Sequence, residues 1–487
     1  MLFNSIEYAL FLPIVFAIYW IIGYLHIGNA FKLKLQNAFV LIASYVFYGW
    51  WDWRFLLLIA FTSLCSWGSG LLIQKYQISN VRSQIAKFWL VANIVLNLAI
   101  LFTFKYYNFF IEEFCQLFNI SSLEGRLGGV SIILPVGISF YTFQALSYSI
   151  DVYRKKVEPT HDIVAFFAFI AFFPQLVAGP IERATNLLPQ FLKNRTFQYG
   201  QAVDGLRQIL WGLFKKMVIA DTCAIYVNRI WETYGMQSSG VLILGAVLFT
   251  FQIYGDFSGY SDIAIGTAKL FGINLMRNFN SPYFSRDIAE FWRRWHISLT
   301  TWFRDYVYIP LGGSRVSKAK IIRNIFVIFL VSGLWHGANW TFLAWGAFHA
   351  LLFLPLILSG RNRRYTNQPV TWRHVPQIVC TFVLVVFGWI LFRAESITQA
   401  WRYICGIAGQ NTVTTHFILH SWEYIPLILT IVFMIGVEWI NRAATHNFAI
   451  QQTISNQWLR RLLYVAVVLM ILYLGQFHYN QFIYFQF

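Results

Sequence analysis

The chain has 487 residues, 58% of them hydrophobic, 19% aromatic and only 12% charged. Soluble domains carry about 25% charged residues, so a soluble globular protein is excluded and an integral membrane protein is indicated. The formal charge of +17 would suggest nucleic acid in a soluble chain. Here it fits basic residues gathered in short cytoplasmic loops, and no nucleic-acid partner is expected.

Charge-free runs of membrane-spanning length recur along the chain: Tyr8–Phe31, Phe55–Gln74, Phe88–Phe104, Leu127–Ile150, Ile163–Ile181, Thr233–Gly255, His374–Phe392 and Leu462–Phe487. The first has no Lys or Arg before it and is too long for a signal h-region, so it reads as a retained span. Shorter candidates lie at Gln36–Tyr48, Leu206–Ile219 and Tyr424–Val437. Asn324–Gly360 contains no Asp, Glu, Lys or Arg. As one helix it would reach about 55 Å at 1.5 Å per residue, against a hydrocarbon core of about 30 Å. It must turn, and Gly333, Gly337 and Asn339 mark the place. The expectation is an all-α polytopic membrane protein with ten to thirteen spans, about eleven, in a single domain over 1–487. The runs lack the short alternating strands of a β-barrel.

Lys75–Lys87, Arg315–Arg323 and Arg361–Arg373 are the basic clusters assigned to the cytoplasmic side. Part of their charge would also attract an anionic cytosolic substrate. The five cysteines are scattered, form no CxxC or metal spacing, and read as small buried hydrophobes. No internal repeat of the transporter kind is visible.

The region Gln252–Gly313 is too polar to face lipid and too aromatic for a solvated loop. Irregular backbone at membrane depth is tolerated only inside protein or around a cavity, so short, partly re-entrant helices are expected there, with Asn324–Gly360 as the second core segment. Phe172–Ile181, FFPQLVAGPI, has the same look.

Three segments carry candidate chemistry: YGDFSGYSDIAIG (Tyr254–Gly266), FWRRWHISLTTWFRDYVYIPLGG (Phe291–Gly313) and SGLWHGANW (Ser332–Trp340). His336 sits at the break of Asn324–Gly360. A neutral imidazole accepts a proton near physiological pH, and an intramembrane ionisable group is a functional-site hypothesis by default. Gly333 and Gly337 would allow close backbone approach and leave room for a substrate. The alternative is a structural histidine bonded to a carbonyl. His296 follows Arg293, Arg294 and Trp295. In a helix, Trp292 and Trp295 would lie near it on one face. The arginines suit phosphate or carboxylate, or else snorkel as interfacial anchors. For Asp256 and Asp262 a metal site is conceivable, but a cap or turn role is expected, and no metal is assigned. His349 reads as a packed histidine.

Taken in order, MLFNSIEYALFLPIVFAIYW, FFPQLVAGPI, YGDFSGYSDIAIG, FWRRWHISLTTWFRDYVYIPLGG, LWHGANW and the ending FIYFQF resemble the membrane-bound O-acyltransferase superfamily, and within it the bacterial branch typified by alginate O-acetylase. The resemblance implies a ring of transmembrane helices around a central funnel and tunnel in a bacterial cytoplasmic (inner) membrane. It implies His336 as the active-site histidine and His296 as the second. Trp335, Asn339, Arg293, Arg294 and Trp295 are the substrate-contact candidates, with Asn339, Trp335, His296 and backbone N–H groups near Gly337 as possible oxyanion donors. No tightly bound cofactor is implied. The donor would be an acyl thioester, most simply acetyl-CoA. The acceptor would be an extracytoplasmic polysaccharide, reached directly or through a periplasmic or membrane-anchored acetyltransferase partner, with membrane lipid around the protein. D-alanyl transfer to teichoic acid from a carrier protein, a transporter or flippase, and a structural subunit of an export complex are the alternatives.

Overall fold

The computed structural model describes residues 1–77, 83–118, 133–366, 368–409, 421–477 and 482–483. His416, His420, His478 and the last four residues of FIYFQF lie outside the described residues. Among the described residues the chain is helical without strands. It forms two compact units, 1–205 with 264–276, and 206–263 with 277–487.

The first unit holds α1 (Ile6–Tyr24), α2 (Asn29–Gly49), α3 (Arg54–Gln77), α4 (Ser83–Lys105), α5 (Tyr107–Phe118), α6 (Ile138–Tyr153), α7 (Ile163–Ala171) and α8 (Ala184–Phe191). Helices α3, α4 and α6 pack together along a seam of small and amide side chains. Ser66 donates to Asn93 Oδ1 at 3.3 Å, and Asn93 Nδ2 donates to Ser149 at 2.7 Å. Without a hydrophobic drive between helices in lipid, close approach and internal hydrogen bonds hold such faces. Two expected spans change character here. Ile163–Ile181 is not one span: α7 ends at Ala171 and a single turn, Phe173–Leu176, follows. A ring at Pro174 would collide with the carbonyl four residues earlier in a continuous helix. The described part of Leu127–Ile150 is the buried α6, entered through Gly137 at φ 74°. A Cβ on Gly137 would stand 2.5 Å from the Leu176 carbonyl oxygen.

Further along run α9 (Tyr199–Leu213), a π-helical turn (Phe214–Ala220), α10 (Asp221–Glu232), α11 (Ser239–Leu270), α12 (Ile288–Arg294), α13 (Ile297–Phe303), a second π turn (Arg304–Tyr308), α14 (Lys318–His336), α15 (Trp340–Leu358), α16 (Val375–Arg393), α17 (Ile397–Ile407), α18 (Ser421–Ile440) and α19 (Gln457–Leu474). The charge-free run Thr233–Gly255 ends at Asp256, and short helices are the expectation for the polar region beyond it. Instead α11 runs unbroken for 32 residues through it. The glycines explain why: a Cβ on Gly259 would stand 2.8 Å from the Gly212 carbonyl oxygen, and one on Gly212 2.6 Å from that of Gly259. They are contact points between α9 and α11. Only the rest of the core region, 277–313, consists of the expected short helices.

Eight helices among the described residues are long and apolar enough to cross a membrane: Ile6–Tyr24, Arg54–Gln77, Ser83–Lys105, Ser239–Leu270, Lys318–His336, Trp340–Leu358, Trp372–Arg393 and Gln457–Leu474. Tyr424–Ile440 is a shorter apolar helix. Gln36–Tyr48 lies within α2, whose first turns carry Lys32 and Lys34. Leu206–Ile219 bends into the π turn. Of the cysteines, Cys115 and Cys223 are buried, Cys65 and Cys405 half-buried and Cys380 exposed.

The turn expected inside Asn324–Gly360 is present. Helix α14 ends at His336, Gly337 is extended, and Asn339 starts α15 by accepting from the Thr341 N–H at 3.0 Å. Gly333 and Gly346 seat the hairpin, because a Cβ on either would run into the carbonyl of the opposite helix, at Phe342 and Phe329 respectively. Gly333→Leu should therefore lower stability by about 1–3 kcal/mol, the usual scale of overpacking. Gly436→Ala, in α18 where nothing lies within 4 Å of an added Cβ, should leave it unchanged or slightly raised. Thermal unfolding of the detergent-solubilised variants checks both.

Candidate functional site

His336 is the last residue of α14 and is 3% exposed. Its ring stands 4.9 Å from Trp335, 5.2 Å from Trp345 and 5.2 Å from Phe392, centroid to centroid. The glycines beside it do not leave an open space, because Phe342 fills it: its carbonyl lies against Gly333 and its ring against Gly337. Asn339 is committed to the turn. Besides capping α15, its Nδ2 donates to the Glu395 carbonyl at 2.9 Å.

His296 arises from a second backbone break. The helical spacing considered for Trp292, Trp295 and His296 does not apply, since α12 stops at Arg294, Trp295 is extended, and His296 takes φ 43°, ψ 54° before α13 begins. Left-handed backbone is uncommon for a side chain other than glycine, though histidine is among the residues enriched there. Such strained positions persist where the surroundings over-determine them. Here the Ile297 N–H donates to the Asn278 carbonyl at 2.9 Å and the Asn280 N–H to the Arg294 carbonyl at 2.9 Å. The ring, 1% exposed, has Nδ1 3.1 Å from Asn278 Oδ1. It meets Phe257 edge-on at 4.6 Å and Trp335 at 5.8 Å. His296 lies between the spans, and burial holds its imidazole well below the ordinary histidine pKa.

Trp335 thus touches both imidazoles. The other candidates divide. Trp295 is 1% exposed and packs into Tyr254, Phe279, Phe291 and Trp389. Arg294 pairs with Glu290 at 2.9 Å and donates to the Asn280 carbonyl at 3.1 Å, which braces the His296 corner. Arg293 donates to the Asn362 carbonyl and lines a cavity of about 440 Å³. That cavity has an apolar wall including Ile325, Phe329, Phe353 and Ile357, and a rim with Arg293, Arg304 and Arg363. Neither histidine lines it. Ile297 and Ser332 do, so it comes within one residue of His296 and one helical turn of His336. Trp292 also lines it, 5.3 Å from Phe329 and 5.6 Å from Trp345. His349 is a packed histidine, with Trp292 and Trp345 each 5.0 Å away.

Asp256 and Asp262 are neither caps nor turn residues. They lie inside α11, facing the π turn, and no cluster of metal-ligand type exists among the described residues. Lys215 bonds Asp262 at 2.6 Å and Ser258 at 2.9 Å. Lys216 bonds Asp256 and Asp221, each at 2.8 Å. Asp256 also accepts from the Ile483 N–H at 2.7 Å. A π turn leaves room for two consecutive lysines to meet one helix. The signal was two lysines at the end of the apolar run Leu206–Ile219, since charges in such segments are paired inward. Asn278 and Ser298, both fully buried, carried no signal at all: an Asn in a polar stretch reads as a turn residue.

The chain is a multi-pass membrane protein in which two buried histidines contact one indole, near in sequence to a cavity lined by three arginines. Residues 42–398 match the model of the MBOAT, membrane-bound O-acyltransferase family. A protein named probable alginate O-acetylase from Pseudomonas aeruginosa is 42% identical over 404 residues, 82% of this chain and 74% of its own. The peptidoglycan O-acetyltransferase of Helicobacter pylori is 32% identical over 445 residues, covering 85% and 81%. The teichoic acid D-alanyltransferase of Bacillus subtilis is 31% identical over 286 residues, covering 54% and 70%. The chain belongs to the membrane-bound O-acyltransferase family, in its alginate O-acetylase-like branch, and is an O-acyltransferase.

Breaking one buried pair gives a test of the charge network. Lys215→Met leaves the Asp262 carboxylate with Gln208, which donates to it at 2.8 Å, and should cost about 3–5 kcal/mol. Lys215→Met with Asp262→Asn should recover most of it. Thermal unfolding of the single and double variants measures the difference.

Proposed function

We propose that this enzyme moves an acyl group, most simply acetyl, from a cytosolic thioester such as acetyl-CoA to an extracytoplasmic polysaccharide, across a bacterial cytoplasmic membrane. The whole chain acts as one acyltransferase, transferring directly or through a partner acetyltransferase. The observation that supports this reading is the contact of both His336 and His296 with the Trp335 indole, close in the chain to Ile297 and Ser332 of a cavity also lined by three arginines.

Arg315–Arg323 and Arg361–Arg373 set the start of α14 and the end of α15 on the cytoplasmic side. Arg293, Arg304 and Arg363 then meet a phosphate-bearing donor, and the apolar wall takes its arm. From Ile325 to Ser332 the wall follows α14 for about 10 Å, and His336 is about 6 Å further. His336 takes the proton of the acceptor hydroxyl as its oxygen attacks the thioester carbonyl. The carbon–sulfur bond breaks, the acyl carbon is bonded to the acceptor oxygen, and the proton passes to the thiolate. Trp292 must move for the acyl group to pass. Alginate, another exopolysaccharide and peptidoglycan all present suitable hydroxyls. D-alanyl transfer from a carrier protein is the second reading. The likeness to the D-alanyltransferase spans 54% of this chain, against 82% and 85% for the two O-acetylating relatives, which favours acetyl.

His336→Ala should lower acyl transfer about 10²–10⁴-fold, the scale of a lost general base, with the protein still inserted and folded. Normal transfer by that variant refutes the assignment. Arg293→Ala and Arg363→Ala should raise the KM for acetyl-CoA more than they lower kcat, and added salt should weaken donor binding to the parent more than to either variant. Steady-state kinetics in proteoliposomes reads all of these. A transporter would neither hydrolyse nor transfer from the thioester.

A further inference from the structure

The hydrogen bonds around Asn278 fix which nitrogen of His296 carries its proton. The Ser298 backbone N–H points at one terminal atom of the Asn278 amide, at 3.3 Å, and the Ser298 hydroxyl approaches the same atom at 2.9 Å. A backbone N–H only donates, so that atom is the amide oxygen. The other end, Nδ2, donates to Ser261 on α11 at 3.1 Å. His296 Nδ1 lies 3.1 Å from that oxygen and 3.5 Å from the Ser298 hydroxyl, whose hydrogen goes to the same amide oxygen at 2.9 Å; an oxygen acceptor requires Nδ1 to carry the hydrogen. In a neutral ring the lone pair is then on Nε2. The ring neighbours Phe257, Phe279 and Trp335 are uncharged. Asn278, Ser298 and Ser261 are all 2% exposed or less, so water does not compete for this arrangement.

The geometry points to Asn278 as a positioning residue that holds His296 as a hydrogen-bond acceptor, orienting the acceptor hydroxyl, and not as an oxyanion donor. This rests on the proposed function above and adds to it that Nε2 of His296 meets the acceptor hydroxyl. A neutral imidazole protonated on Nδ1 has no N–H left on Nε2 to stabilise a developing oxyanion. It offers a lone pair to a hydroxyl instead. Outer partners of this kind set tautomer and ring orientation, and losing them typically costs about 10–100-fold where histidines bind metals.

The test uses three variants in proteoliposomes with acetyl-CoA and a soluble polysaccharide acceptor. Asn278→Ala should lower kcat about tenfold or more with the KM for acetyl-CoA unchanged. Asn278→Asp keeps the shape but places a carboxylate on Nδ1–H, which favours the imidazolium. The acid limb of its pH profile should therefore move to higher pH by about one unit or more. Ser261→Ala, which frees Nδ2 but leaves the acceptor oxygen, should fall between Asn278→Ala and the parent. An Asn278→Asp profile that coincides with the parent's overturns the proposal, as does an Asn278→Ala effect confined to KM. Nitrogen-15 spectra of the unsubstituted protein in bilayers, with the His296 signals assigned by difference against His296→Gln, read the tautomer without any activity. An Nε2–H tautomer overturns the proposal even if variants fail to fold. Loss of activity in His336→Ala is independent of all these outcomes, so the two readings fail separately.

Discussion

A polar ring can be kept inside a membrane protein only if the backbone break that carries it is itself satisfied. Both histidines of this enzyme sit at such breaks. At His336 the helix ends, and the next begins under the Asn339 cap, with Thr341 and Glu395 accounting for that amide. At His296 two helices are separated by one extended and one left-handed residue, and the Asn278–Asn280 strand of chain supplies the missing hydrogen bonds. Unsatisfied backbone groups cost several kcal/mol each in a nonpolar surround, so these closures are what allow the two breaks to be buried with their imidazoles.

The second unit also holds buried charges paired with one another. Lys215 and Lys216 are buried and bind three carboxylates from α10 and α11. The Tyr254 hydroxyl lies 2.8 Å from each Glu438 oxygen and shares its one hydrogen between them, and Arg277 donates to Asn447 at 3.0 Å. Such networks are weak evidence for net stability, yet breaking one partner is expensive. They pin α11 against the π turn, and α11 carries Phe257 and Ser261, which touch His296 and Asn278.

Aromatic side chains complete the frame. Trp292, Trp345, Phe392 and Trp389 form an interlocking set around His336 and His349. Their size excludes water without adding charge. Of these side chains Trp292 also lines the cavity that Arg293, Arg304 and Arg363 share.

Several of these features follow from sequence order. A charge-free run too long for one span had to fold back, and glycine with an Asn cap marked where, so the His336 hairpin could be placed before any coordinates. The membrane class followed from composition, and the family from motifs in order. Elsewhere local pattern misled. YGDFSGYSDIAIG looked like a broken segment because its aspartates and glycines are turn formers in water; inside the protein the glycines meet α9 and the aspartates meet lysines, so the helix continues. Short helices are expected around FWRRWH, but periodicity cannot show that the break falls on a single left-handed residue, His296. The pairing of Asn278 with His296, and of Lys215 with Asp262, joins residues far apart in the chain. Hydropathy and spacing report only a residue's own surroundings along the chain. Which buried donor meets which acceptor is set by how separate helices pack, and that appears only in three dimensions.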